Sequence, residues 1–572
     1  MAERTLTAPA PSRIRPLTAR AWVWTMELRP LSVLGLLAVV QWLALLALIV
    51  SIHHNGWLFY QGGDETFYYT TGWGIAGGHL PPTSIGYGWS LLLAPIALFA
   101  GPSYLAALPG IVLLQVLVLL PLGLWFAYGL GERLAGRWLG YTVAVGWVVA
   151  PYLVIPGFVQ RFHAQWVEQF LPQALGLTGL ADFVSMVVVT GAVWLFLRAL
   201  DSRAPGDALL AGLITGLAIG IKPANVLFVA GPGLALLATR RWRTGLLYGV
   251  AIAPAALTLA VWKERGLGHL PLLAVTVVHV AGAATAAPLV ATGAAGLHAH
   301  WTQLGNNLAQ LREFFWSMRL IEWLPFAGFV ALARVSWPKA LVVGGWLAAF
   351  ILVKGTSSGA NVQDATFFRL LMPAWPAYLV LVASLPLLVP DVARAVRGRV
   401  LPAIRPIATR GIPLVAAAAL LGFVPLVAVA ALPTLQNRSI VSEFTNNVVV
   451  PAGVDFHLRA RATPKGVELT WRRPAGARGA VFYRLYSEQA RYIWDRTLTP
   501  VEHGIACLKN VGGARRCRVL MNVLGTTEGT TYLDRGRSRV FDYRVGLAAN
   551  WLKDPSRGDV LMLSRQANPS LP

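Results

Sequence analysis

Long runs of apolar residues dominate the chain and set its class. Four of them cover residues 31–52, 105–130, 183–197 and 412–432, and none contains a charged residue. Each is close to the roughly 20 residues that a helix needs to cross a bilayer. After about residue 434, short stretches follow in which apolar and polar residues alternate, as in β-strands. The pattern predicts a polytopic α-helical membrane protein with a separate C-terminal β-domain.

Short basic loops between the apolar runs predict the topology, because Lys and Arg accumulate on the cytoplasmic side. An even number of crossings between consecutive basic loops gives about 11 transmembrane helices. The count treats residues 90–99, which are too short to span and contain Pro95, as a juxtamembrane or re-entrant segment on the outer side. The basic positions used are Arg133, Arg137, Arg198, Arg203, Arg240, Arg241, Arg243, Arg334, Lys339 and residues 394–410.

This count divides the chain into four parts. We expect a basic cytoplasmic tail at 1–30 and a transmembrane domain at 31–434, with its first external loop at 52–104. A linker at 435–450 then leads to an extracytoplasmic domain at 451–572. Arg far exceeds Lys in the sequence, which is typical of a GC-rich bacterial genome. We therefore expect a multi-pass protein of the bacterial cytoplasmic membrane.

The composition supports this class. Of the 572 residues, 56% are hydrophobic and 13% are charged, whereas a soluble domain carries about 25% charged residues. The formal net charge is +23, but topology explains the basic residues, and we do not expect nucleic-acid binding. The sequence contains no Walker A loop, dinucleotide fingerprint or nucleophile elbow. Use of cytosolic nucleotides is therefore not supported.

The C-terminal domain shows four short predicted strands, at 467–471, 481–486, 530–533 and 541–547. With the Trp of Leu469-Thr470-Trp471, this set resembles a fibronectin type III domain, which implies a β-sandwich. The resemblance covers about 100 residues. We expect the domain to bind or dock a glycan, a cell-envelope polymer or a partner protein.

The two cysteines of the chain, Cys507 and Cys517, both lie in this domain. On the outer side of a bacterial membrane, oxidising conditions favour a disulfide between them. The alternative is a pair of buried thiols. A disulfide here would hold a hairpin or a loop together.

Acidic residues are scarce, so those near the membrane are informative. Gly62-Gly63-Asp64-Glu65 follows the first apolar run and precedes the aromatic pair Tyr68-Tyr69. A carboxylate held beside flexible glycines can act as a general base. The alternative is a solvated loop acid. Tyr68 and Tyr69 are candidate substrate-binding residues.

Asp182 stands at the entrance of the apolar run at 183–197. An acid at a helix N-terminus is favoured by the helix dipole, which is the simpler interpretation. Together with Asp64, it can form a two-carboxylate site whose oxygen atoms suit a divalent cation.

Two basic residues lie on the predicted outer side, and the arginine among them opposes the topology trend. Arg369 lies in Phe367-Phe368-Arg369-Leu370-Leu371, and its planar guanidinium suits a phosphate. Lys222 lies in a tight turn between two apolar runs. The alternatives are a headgroup-level arginine and a snorkelling lysine.

A further polar group, in the second outer loop, is a weaker candidate for contact with a polar substrate. Ordinary solvated residues are an equal alternative for this group. Its members are Arg161, His163 and Glu168.

Taken in order, several short segments resemble the motifs of GT-C-type glycosyltransferases of the protein-mannosyltransferase and aminoarabinose-transferase kind. The resemblance covers roughly residues 31–390. The segments are Asp64-Glu65, Leu80-Pro81-Pro82, Gly131-Glu132-Arg133-Leu134, Leu180-Ala181-Asp182, Gly216-Leu217-Ala218-Ile219-Gly220-Ile221-Lys222 and Arg369-Leu370-Leu371-Met372-Pro373-Ala374-Trp375-Pro376-Ala377.

This resemblance implies a GT-C fold and transfer of a sugar from a polyprenyl-phosphate donor to an extracytoplasmic glycan, lipid or protein hydroxyl. It implies Asp64 as general base of an inverting reaction. Arg369 and Lys222 are expected to bind the donor phosphate, Glu65 to position hydroxyls, and Asp182 to orient the site or help hold a divalent cation.

Two other classes of protein fit the same charges. A transporter or flippase for a lipid-linked sugar also places charged groups in a membrane cavity, but it predicts ionisable residues along the spans and pseudo-symmetric halves. The other is a non-catalytic membrane scaffold that binds cell-envelope glycan. The intact acids and Arg369 favour the enzyme over this scaffold.

Overall fold

The structure is a computed structural model of the chain. It describes residues 27–51, 64–78, 80, 85–100, 104–157, 160, 163, 166–267, 294–314, 318–357, 359–362, 366–397, 406–408, 411–433, 438–443, 446–451, 454–474, 481–488, 498–501, 505–511, 514–520, 522–535, 542–549, 560–565 and 567. The predicted basic tail lies mostly outside this description.

The first part of the described chain is helical. Numbered in chain order, its α-helices are α1 Pro30–Ser51, α2 Asp64–Ala76, α3 Tyr87–Ala100, α4 Tyr104–Leu114, α5 Leu120–Ala135, α6 Arg137–Gly157, α7 Leu171–Ala174, α8 Ala181–Ser202, α9 Pro205–Ile221, α10 Ala230–Thr239, α11 Trp242–Leu267, α12 Ala294–Phe314, α13 Met318–Val353, α14 Thr366–Leu371, α15 Trp375–Ala383, α16 Pro390–Arg397, α17 Ile412–Ala418 and α18 Val424–Ala431. Tighter or wider helical turns join several of them: Gln115–Leu119, Trp166–Phe170, Pro223–Val229, Met372–Ala374, Leu385–Leu388 and Ala419–Phe423.

The helical part is built like a protein that lipid surrounds. Within the described residues, eight helical stretches are long and apolar enough to cross a membrane, and three shorter apolar helices accompany them. Helix α8 is buried on nearly all sides, whereas outer helices expose apolar side chains: Leu31 is 74% exposed and Ile412 is 84% exposed. Such an apolar surface favours lipid over water. The chain is therefore a multi-pass helical membrane protein; the count of about 11 spans stays a prediction.

Helix α13 has 36 residues but bends back on itself. Ser336 has a non-helical backbone (φ −154°, ψ 101°) in its middle. A Cβ added to Gly344 would lie 2.6 Å from the ring of Phe329. In a straight helix these residues would be more than about 20 Å apart, given a rise of about 1.5 Å per residue. The segment is therefore a hairpin of two helices around Ser336.

The basic loops between the helices meet at one end of the bundle. Lys339 donates to the backbone oxygen of Arg133 at 2.6 Å and pairs with Asp201 at 2.8 Å. Arg241 donates to the backbone oxygen of Leu200. The loops that the arginine count assigned to one side thus contact each other. The membrane side that this end faces stays a prediction.

The expected first external loop contains two helices. Helix α3 includes Pro95 and is 14 residues long, so it is shorter than a full span, as predicted for residues 90–99. Helix α2 was not predicted. Its first turn carries Asp64 and Glu65, where acids are favoured by the helix dipole.

The C-terminal part consists of twelve described strands. They are β1 Arg438–Glu443, β2 Asn446–Pro451, β3 Arg459–Thr463, β4 Gly466–Thr470, β5 Val481–Glu488, β6 Leu498–Val501, β7 Ile505–Val511, β8 Ala514–Leu520, β9 Asn522–Thr527, β10 Thr531–Asp534, β11 Asp542–Ala549 and β12 Val560–Leu563. The four predicted strands correspond to β4, β5, β10 and β11.

These strands form three open sheets, with the orders β2-β1-β8-β7-β6, β10-β4-β3 and β12-β11-β5-β9. The two smaller sheets share one buried core, to which Leu469 contributes from β4 and Tyr483 and Val545 from β5 and β11. In β4, buried Val467 and Leu469 flank exposed Glu468, because alternate side chains of a strand point to opposite faces. The likeness to a fibronectin type III sandwich stays a prediction.

The five-stranded sheet was not foreseen. It includes β1 and β2, which lie in and next to the stretch 435–450 expected to be a linker. Strand β1 pairs in parallel with β8, far along the sequence. Strands β7 and β8 form an antiparallel hairpin in which Cys507 and Cys517 are directly opposite. Opposite residues in such a pair have Cα atoms about 4.5–5.5 Å apart, which lies within the range of a disulfide. The disulfide itself stays a prediction.

Candidate functional site

Four of the predicted site residues meet at one end of the bundle, although they come from distant parts of the sequence. Arg369 donates through Nε to Asp182 Oδ2 at 2.8 Å, and its Nη2 contacts Asp64. Lys222 Nζ contacts the other oxygen of Asp182. The result is a cluster of two carboxylates and two cations, which we call the charge cluster: Asp64, Asp182, Lys222 and Arg369.

Helix ends place these side chains. Asp64 begins α2, and Asp182 lies in the first turn of α8. Lys222 follows α9 with an extended backbone (φ −139°, ψ 110°). Acids at helix N-termini and cations at C-termini are stabilised by the helix dipole. Each of these three charges is therefore favoured at its position before the cluster forms. Arg369 lies in the short helix α14.

The two carboxylates differ in exposure. The side chain of Asp182 is 2% exposed, and that of Asp64 is 46% exposed. A carboxylate this buried is stable only when it is paired, and Asp182 is paired twice. Asp182 therefore holds the two cations in place, while Asp64 is the acid that an incoming molecule can reach.

Tyr68 and Glu65 belong to the same helix as Asp64, α2, and both are buried. Burial, with the nearby carboxylates of Asp182 and Asp64, raises the pKa of the Tyr68 phenol above its ordinary value. Tyr68 therefore keeps its proton at physiological pH and can donate a hydrogen bond. Glu65 and Tyr69 are both fully buried, so neither faces an open surface.

Of the three residues predicted in the second outer loop, only His163 has a described side chain. His163 is half-buried, and Arg161 lies outside the described residues. Glu168 belongs to the turn Trp166–Phe170, but its side chain is outside the description. Their predicted contacts with a substrate stay predictions.

An aromatic cluster adjoins Arg369 and was not predicted. The ring of Phe368 lies 5.1 Å from that of Trp166 and 5.3 Å from that of Phe170, measured between ring centroids. The ring centroids of Trp166 and Phe170 lie 4.3 Å apart, with the two ring planes tilted by 39°. Phe368 is the residue before Arg369, and the spacing of four between Trp166 and Phe170 was the signal in the sequence. These aromatic rings therefore pack together next to the helix α14 that carries Arg369.

The first loop packs against the helix that precedes Lys222. A Cβ added to Gly86 would lie 2.3 Å from the backbone oxygen of Gly220, so glycine is required there. The backbone oxygen of Ile85 accepts hydrogen bonds from Trp262 at 3.0 Å and from Lys263 at 2.9 Å. The segment at residues 85–86 is therefore held between the end of α9 and helix α11.

The C-terminal strands also reach the site helix. Trp73 of α2 packs against both the transmembrane core and the core of the two small sheets. The backbone N–H of Leu80, just after α2, donates to the backbone oxygen of Pro433 at 2.8 Å. Helix α2, which begins with Asp64, is thus held between the helices and the strands.

A divalent cation between Asp64 and Asp182 was one expectation. Arg369 contacts both carboxylates and lies where a bridging cation would bind. Within the described residues, no three His, Cys, Asp or Glu side chains converge on one point. As they stand, these residues fit a cation poorly, because Arg369 and Lys222 already balance both carboxylate charges.

Comparisons with known proteins add no family to the class of protein that the structure defines. No protein-family model matches this chain, and no curated protein matches it. The protein is a multi-pass helical membrane protein with a C-terminal β-rich part and a charge cluster at one end of its helices.

Proposed function

We propose that this protein is a membrane glycosyltransferase of GT-C type. It transfers a sugar from a polyprenyl-phosphate donor to an extracytoplasmic hydroxyl, with inversion at the anomeric carbon. The observation that carries the proposal is the position of Arg369 between a buried and a half-exposed carboxylate, with Lys222 beside it. In this proposal the charge cluster faces the outer side of a bacterial cytoplasmic membrane.

The cluster and its surroundings suit an amphiphilic donor. Charged groups at membrane depth are costly and normally line a functional cavity. An isoprenoid tail needs an apolar surface, which the exposed faces of the outer helices supply. The donor phosphate needs cations, and a guanidinium offers it a planar fork of donors. Arg369 and Lys222 supply these cations in the charge cluster.

Asp64 is the general base of the proposed reaction, because its side chain is the accessible carboxylate of the cluster. It takes the proton of the acceptor hydroxyl while the acceptor oxygen bonds to the anomeric carbon. The bond from that carbon to the phosphate oxygen breaks, and its electron pair leaves with the polyprenyl phosphate. General-base help of this kind contributes about 10²–10⁴-fold.

Arg369 and Lys222 stabilise the leaving group. Negative charge grows on the phosphate in the transition state, and cations fixed in advance lower its energy. Asp182 is 2% exposed and holds both cations. Asp182 is thus a positioning residue. The expected role of Glu65 in positioning hydroxyls stays a prediction.

Donor binding and activation of the base are linked, because Asp64 and the donor phosphate compete for Arg369. Without donor, Asp64 pairs with Arg369. A donor phosphate competes for the same guanidinium and displaces Asp64, which frees the carboxylate for the acceptor proton. The base therefore becomes available when the donor is in place.

The C-terminal domain, a fibronectin type III-like sandwich in this proposal, presents or docks the acceptor. Its support is the contact of Trp73 with both the membrane core and the strand core. The acceptor is a glycan, a lipid or a protein of the cell envelope. No divalent cation is needed for the steps above, since the two cations of the cluster stabilise the phosphate.

A transfer assay tests the proposal. The purified full chain in nanodiscs is given radiolabelled polyprenyl-phosphate sugars, and release of polyprenyl phosphate is measured for wild type and Asp64→Asn. Asp391→Asn is the matched control, because its side chain is 70% exposed and pairs with Arg394 of the same helix. We expect Asp64→Asn to lose turnover and Asp391→Asn to keep the turnover of wild type. A wild type that binds donor without ever consuming it favours the transporter or scaffold classes instead.

A further inference from the structure

A third basic residue, Lys354, lies beside Lys222 because of how two helices pack. The helical segment after Lys222 passes through Gly231, and the second half of the α13 hairpin passes through Gly345. A Cβ added to Gly345 would lie 2.9 Å from Gly231 Cα. The two backbones therefore touch at this pair of glycines.

These two helices run in opposite directions, because Arg241 after the end of the first and Lys339 at the start of the second both contact residues 200–201. This arrangement fixes the height of Lys354. Lys222 comes nine residues before Gly231, and Lys354 comes nine residues after Gly345. Each nine-residue step rises about 13–18 Å toward the same end of the bundle. Lys354 therefore lies at the same height in the bundle as Lys222. Burial, together with repulsion by the nearby Lys222, lowers the pKa of Lys354.

Lys354 differs from Lys222 in its partners. Lys222 pairs with Asp182, but no carboxylate of the described residues pairs with Lys354. With Lys354 included, the cluster has three cations and two carboxylates and so a net charge of +1. Lys354 is the cation whose charge is left over for an incoming anion.

The backbone around Lys354 is firmly held. Its N–H donates to the backbone oxygen of Phe350 at 2.7 Å, and Asn307 donates to the backbone oxygen of Gly355 at 3.1 Å. Asn307 is 1% exposed. The side chain of Lys354 therefore starts from a fixed point at the end of α13, which favours a defined binding role.

We propose that Lys354 binds the phosphate group of the lipid-linked donor together with Lys222. The inference rests on the proposed function and adds a residue to its site. A sugar phosphodiester carries one negative charge, which matches the excess charge of the cluster. When the sugar leaves, the phosphate gains further negative charge, and Lys354 stabilises it as a point charge.

Binding of polyprenyl phosphate to the full chain in nanodiscs tests this role. Lys354→Ala should weaken binding by about 10- to 100-fold, the effect of losing a hydrogen bond to a charged group. Lys354→Arg should keep most of the affinity. Lys465→Ala, in an exposed turn of the C-terminal part, is the matched control and should bind as wild type does. Thermal unfolding of each variant shows whether it is folded.

Two further probes separate the sources of the phosphate. Inorganic phosphate should compete weakly and lose its effect in Lys354→Ala. Nanodiscs with and without phosphatidylglycerol test whether Lys354 meets bulk anionic lipid instead. If Lys354→Ala changes only the response to phosphatidylglycerol, the inference is wrong.

The same experiments separate this inference from the proposed function. A wild type that binds polyprenyl phosphate and transfers sugar, beside a Lys354→Ala protein with equal affinity and turnover, overturns the role of Lys354 alone. A wild type that neither binds polyprenyl phosphate nor transfers sugar overturns both.

Discussion

Removing the charge of Asp182 should destabilise the protein strongly. Asp182 accepts from Arg369 at 2.8 Å, contacts Lys222, and has a side chain that is 2% exposed. In Asp182→Asn, the two cations keep their places beside a neutral amide. Arg369 then keeps only its contact with Asp64, and Lys222 loses its carboxylate partner while it lies close to a second cation. Removing one partner of a buried ion pair costs about 3–5 kcal/mol, and we expect a loss in this range.

A double-mutant cycle checks the cause of that loss. Lys222→Met removes the second cation, so the double variant Asp182→Asn/Lys222→Met should be less destabilised than the sum of the single variants. Contacting residues show interaction energies of about 0.5–3 kcal/mol. The free energy of unfolding in detergent micelles is the measured quantity. Asp391→Asn, which breaks an exposed ion pair, should cost less than about 1 kcal/mol.

The reasoning fails if Asp182→Asn unfolds with nearly the wild-type free energy. It also fails if the two single substitutions are additive, since Lys222 and Asp182 would then not interact. Either result would mean that the charge cluster is not formed in the folded protein.

Three further substitutions or modifications give clear outcomes. Trp73→Ala should lower kcat with little change in donor Kd, because the site helix loses its support from the strands, and Trp73→Phe should restore kcat. Gly231→Ala should lower the unfolding temperature, because its Cβ would meet backbone at 2.0 Å, whereas Gly233→Ala has nothing within 4 Å and should not. Alkylation followed by mass spectrometry should label Cys507 and Cys517 only after reduction; labelling without reductant contradicts the disulfide.

The helices and their ends were predictable because their signals are local. Apolar runs mark the spans, and the basic loops mark the ends where the chain turns. Lys339 and Arg133 were assigned to the same side from charge alone, and they are in contact. The hairpin at Ser336 follows the same rule, since a basic stretch between two apolar runs indicates a turn.

The composition of the site was accessible from the sequence, but its geometry was not. Asp64 and Arg369 are 305 residues apart, and their contact depends on how every intervening helix packs. The scarcity of acids and an arginine on the unexpected side indicated these residues as candidates. The pairing of Arg369 with both carboxylates required the three-dimensional structure.

The position of Lys354 beside Lys222 could not be predicted from the sequence. As a lone lysine at the end of an apolar run, it has the same pattern as a snorkelling residue. Its importance depends on the height at which α13 packs against the segment through Gly231. The parallel pairing of β1 with β8 has a similar cause, because no local pattern specifies which distant strand is a neighbour.

Turnover of Asp64→Asn beside wild type is the most direct test of the central claim. Donor binding and polyprenyl phosphate release are measured on the same nanodisc preparations. We predict that Asp64→Asn binds donor but releases polyprenyl phosphate about 10²–10⁴-fold more slowly than wild type. Release at nearly the wild-type rate by Asp64→Asn would contradict the assignment of Asp64 as the general base.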